Sequence, residues 1–166
     1  MSILKKLLLF LIFLILFLIQ TTLGEYIKIF DAAPNLLLVF VIIYSINSSV
    51  PTSILVGSIA GLLIDVSMQG LLGLNALIMT YIAIFASFLS SRILYERKII
   101  TIITVFALGF LFEFLNVAIS NALITDLPVF YITLRYTLLS CVYNSVVAIG
   151  LVYLIDKLKF EYIRGI

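Results

Sequence analysis

Charged positions cut the chain into long apolar runs. Lys5 and Lys6 precede an uncharged stretch from 7 to 24, residues 32 to 64 carry no charge between Asp31 and Asp65, and residues 136 to 155 are again uncharged. Two further runs lie between these: about Leu74 to Leu89, closed by Ser90, Ser91 and Arg92, and Ile99 to about Ile119, interrupted by Glu113. A membrane-crossing helix needs about 20 apolar residues. Four of the runs each match one span, whereas 32 to 64 is too long for one and short for two. It therefore predicts a tight hairpin of two short helices, six in all. Pro34 suits the first turn of the first, where its missing N–H is unpaired anyway. Asn47, Ser48, Ser49, Pro51, Thr52 and Ser53 supply the turn, with Pro51 disfavouring helix at Val50. The Asn47-Ser48-Ser49 sequon reads as part of that turn rather than as a glycosylation site. Gly70 and Gly73 mark the connection after Asp65, and Ser120 through Asp126 and Pro128 turn the chain again. The run from 7 to 24 has the form of a signal peptide, but Thr22-Leu23-Gly24 is a poor cleavage site and more apolar segments follow, so it is expected to stay as a helix.

Orientation follows from basic residues, which are retained in cytoplasmic loops. Six spans put Lys5, Lys6, Arg92, Arg97, Lys98, Lys157, Lys159 and Arg164 on one side and leave Lys28 and Arg135 on the other. Both termini are then cytoplasmic. The composition, 64% hydrophobic and 11% charged with no His, is far from that of a soluble domain. Residues 1–166 read as a single polytopic, all-α membrane domain with no room for a separate aqueous unit. A net charge of +2 gives no reason to expect nucleic acid. The single cysteine, Cys141, excludes an internal disulfide and a multi-cysteine metal cage, and sits where core packing is the plain reading.

The polar positions inside these runs are the candidate chemistry. Ser53, Gly57, Gly61 and Asp65 recur every four residues and form a stripe on one face of the third helix. Small residues let backbones approach, a main source of helix association in lipid. The stripe serves either packing within the chain or a partner's helix, a second copy included. Asp65 is an acid at or inside the bilayer, where it is costly and marks a pathway, a partner or a structural tie; a cap on the broken connection through Gly70 is the structural alternative. Glu113 in the fifth helix and Arg135 near the start of the sixth are candidates for an intramembrane ion pair. There is no His, no HExxH, no GxSxG and no phosphate-binding loop. No enzyme, metal or cofactor is expected. The tyrosines, Tyr44, Tyr81, Tyr131, Tyr136, Tyr143 and Tyr153 among them, fit interfacial anchors.

With Pro34-Asn35-Leu36-Leu37, then Gly57, Gly61-Leu62-Leu63, Asp65, Gly70 and Leu72-Gly73-Leu74-Asn75-Ala76-Leu77, the chain resembles the rod shape-determining protein MreD family. The resemblance covers essentially the whole chain; its motif lies between residues 34 and 77, and the C-terminal half matches in hydropathy alone. It implies a non-enzymatic scaffold of the bacterial cell-elongation complex in the cytoplasmic membrane. The partners it implies are MreC, MreB, the RodA glycosyltransferase and its class B transpeptidase, and the motif positions are Pro34, Gly57, Gly61, Asp65, Gly70, Gly73 and Asn75. Arg92, Arg97 and Lys98 become a candidate contact for MreB or for anionic lipid, at about 1 kcal/mol per basic residue. The family is also similar in architecture to the substrate-binding subunits of energy-coupling-factor vitamin transporters. On that alternative, Asp65, Asn75, Glu113 and Arg135 line a pocket for a small polar solute.

Overall fold

The computed structural model describes residues 3–24, 26, 33–67, 72–90, 97–124 and 130–163, with side chains over 7–22, 24, 26, 33–67, 72–89, 99–119 and 137–154. These residues form six helices and no strand: α1 (Ile3–Leu23), α2 (Leu36–Ile46), α3 (Val50–Ser67), α4 (Leu74–Ser90), α5 (Arg97–Ile124) and α6 (Phe130–Ile163). Windows in α3, α5 and α6 (Val50–Ser67, Ile99–Ile119 and Thr137–Leu154) are long and apolar enough to cross a membrane; the apolar parts of α1, α2 and α4 are shorter.

The 32 to 64 run is a hairpin, as its length requires, but its boundaries differ from the expected ones. Asn35 is the N-cap of α2, so Pro34 lies before the cap and not in the first turn. The α2–α3 turn is confined to Asn47, Ser48 and Ser49, because α3 already starts at Val50. Pro51, Thr52 and Ser53 thus belong to the first turn of α3, where a missing proline N–H is harmless. The Ser49 carbonyl anchors this turn: it accepts from Ser53 N–H at 3.0 Å and from the Ser53 and Thr52 hydroxyls at 3.0 and 2.8 Å. Arg97 and Lys98 open α5 instead of lying in the loop before it, and Ser120 to Ile124 continue α5.

α2 is the hub. It packs against α1, α3, α4, α5 and α6, and every residue from Leu36 to Ile43 is buried. A helix apolar all round must be enclosed. At about 1.5 Å per residue its 11 residues cover about 16 Å, roughly half of a ~30 Å hydrocarbon core. Its N-terminal end, from Pro34 to Leu38, is enclosed in the bundle, where unpaired N–H groups need protein partners. Around this hub the closest pairings are α3 with α4 and α5 with α6, while α1 packs on α2 through contacts such as Phe13 on Phe40, ring centroids 5.7 Å apart. The outer face of α1, with Leu7, Phe10, Leu11 and Leu18, is exposed.

Candidate functional site

Several polar side chains of the bundle gather into two ties, one joining α3, α4 and α5 and the other joining α1, α2 and α6. The first is built on the small-residue stripe. Gly57 lies against α4 so closely that a Cβ there would sit 2.9 Å from both the Met79 carbonyl oxygen and the Ala83 Cβ. At Gly61 the approach is tighter: a Cβ would overlap the Ala76 Cα and come within 2.5 Å of Ala76 N and Asn75 O. No side chain separates the two helices there. One turn further along α3, Asp65 is 1% exposed and faces the N-terminus of α4.

That placement determines what the carboxylate does. Its Oδ2 accepts from the Gly73 and Ala76 N–H groups at 3.0 and 3.1 Å, and its Oδ1 accepts from the Asn75 N–H at 3.1 Å and the Asn75 Nδ2 at 2.9 Å. A helix N-terminus presents unpaired N–H groups and a partial positive charge, so it is a natural seat for an anion. Gly73 takes φ +92°, a conformation that side-chain-bearing residues rarely adopt, and so turns its N–H onto Asp65. An ionised carboxylate only accepts, hence Asn75 must point its NH₂ at Asp65. This leaves Asn75 Oδ1 free to accept from Asn116 Nδ2 of α5, which brings a third helix into the tie. The Ser58 and Thr80 hydroxyls, 3.0 Å apart, add a further bond between α3 and α4.

The second tie caps α2. Asn35 Oδ1 accepts from Leu38 N–H at 3.0 Å, Gln20 Oε1 of α1 accepts from Leu37 N–H at 3.0 Å, and Asn144 Oδ1 of α6 accepts from Asn35 N–H at 2.7 Å. Gln20 Nε2 also donates to Asn35 Oδ1 at 3.4 Å. At the other end of α2, Asn47 Nδ2 donates to Ile43 O at 2.8 Å, and Ser87 of α4 donates to Ser48 O at 2.9 Å. This second tie is not saturated: Asn144, 0% exposed, keeps a buried Nδ2 without a hydrogen-bond acceptor. A Cβ at Gly109 of α5 would lie 3.9 Å from that nitrogen.

Of the residues singled out in the sequence, Gly57, Gly61, Asp65, Gly73 and Asn75 converge on the α3–α4 joint. Glu113 stands half-buried on α5, three residues before Asn116. The Glu113–Arg135 pair falls outside the described residues because the Arg135 side chain does, as do Gly70, Arg92 and the side chains of Arg97 and Lys98. Gln20, Asn116 and Asn144 received no role from the sequence. Their signal is a lone amide inside an apolar helix, which in a membrane needs a partner on another helix. Residues 1–160 match the family model of the rod shape-determining protein MreD. No curated protein and no solved structure matches the chain.

Proposed function

The chain belongs to the MreD family of rod shape-determining membrane proteins, and from that premise we propose that it is a non-enzymatic scaffold of the bacterial cell-elongation complex. In this reading it is a multi-pass protein of the cytoplasmic membrane, both termini on the cytoplasmic side. It holds MreC, MreB and the lateral peptidoglycan machinery, RodA with its class B transpeptidase, in one assembly. The family match over residues 1–160 carries the proposal.

The bundle supports it physically. Asp65 receives three hydrogen bonds from α4 and one from Gly73 just before it, and Asn75 is held between Asp65 and Asn116, so these groups hold helices together and are not poised to meet a solute. The transporter alternative draws no support from them. A homodimer through Gly57 and Gly61 is not proposed either, because α4 already fills that face. The surfaces left for partners are the exposed apolar faces of the helices and the basic segment around Arg92, Arg97 and Lys98, which we assign to MreB or the anionic membrane surface.

Mass spectrometry of proteins that copurify with the tagged chain from gently solubilised native membranes tests the assignment. Enrichment of MreC and wall-elongation enzymes is expected. Enrichment of a transmembrane coupling subunit with its ATPases would overturn it in favour of solute uptake.

A further inference from the structure

We draw no further inference here: the strongest candidate, the buried and unpaired Asn144 amide between α5 and α6, belongs to the α2-capping tie already described, and nothing in the structure shows what ligand would meet it.

Discussion

The α3–α4 joint and the α1–α2–α6 joint handle the same problem, polar groups inside a membrane bundle, in different ways. At α3–α4 the polar group is a formal charge, and its four donors come from one helix end, three of them backbone N–H. At α1–α2–α6 the groups are neutral amides drawn from three helices, and one buried Nδ2 stays unmatched. A buried charge without partners costs several kcal/mol, so that joint must be complete. A buried amide donor without a partner costs about 1–3 kcal/mol, which a bundle can absorb. The difference teaches that the glycine stripe and the acid form one device: Gly61 brings Asn75 and Ala76 against α3, and those two residues supply three of the four hydrogen bonds on Asp65.

The sharpest break of this comparison is Asp65→Ala, which strips the acceptor from four half-buried donors and is expected to cost about 3–5 kcal/mol. Thermal unfolding in detergent can be followed by a thiol-reactive dye, since Cys141 is the one cysteine of the chain and is buried. A melting curve superimposable on that of the parent would end the argument for a strict joint. Next comes Gly61→Ala, expected to cost about 2–3 kcal/mol through backbone displacement, with Gly57→Ala nearer 1–2 because an Ala83 methyl is one of its neighbours. Gly61→Ala combined with Asp65→Ala should cost less than the two singly, by about 1 kcal/mol or more, as residues sharing partners do. Strict additivity in the same assay would separate stripe from acid. On the looser joint, Gln20→Leu and Asn35→Ala should each cost about 1 kcal/mol, the usual worth of a helix cap. A loss equal to that of Asp65→Ala would reverse the ranking of the joints. Smallest of all, Gly109→Ala places its methyl in ordinary contact with Asn144 and removes a mid-helix glycine, so stability should rise by about 0.5 kcal/mol. A fall of 1 kcal/mol or more would mean that the space before Asn144 Nδ2 is needed.

Much of this was legible in the apolar runs. α4 begins at Leu74 as expected because Gly73 breaks the chain before it, and the length of the 32 to 64 run forces a hairpin. The expected turn is too long because Pro51 and its neighbours look alike as turn residues and as a first helical turn; the bonds that Thr52 and Ser53 make back to the Ser49 carbonyl distinguish the two. Asp65 stood out as an acid in apolar sequence, and its partners lie 8 to 11 residues away, within reach of a local reading. The α2 cap was not legible. Gln20 and Asn144 lie 15 residues before and 109 residues after Asn35, and no periodicity connects positions on three separate helices.

That last separation also orders events during synthesis. α2 is too short to span and is capped at its N-terminus by Asn144 of α6, which is synthesised 109 residues after Asn35. Until α6 is inserted, the Asn35 amide must be served by whatever water or insertion machinery lies nearby. The hub of the bundle is thus made well before α6 and completed only when α6 arrives, and a chain stalled after α5 carries its central helix with an open end.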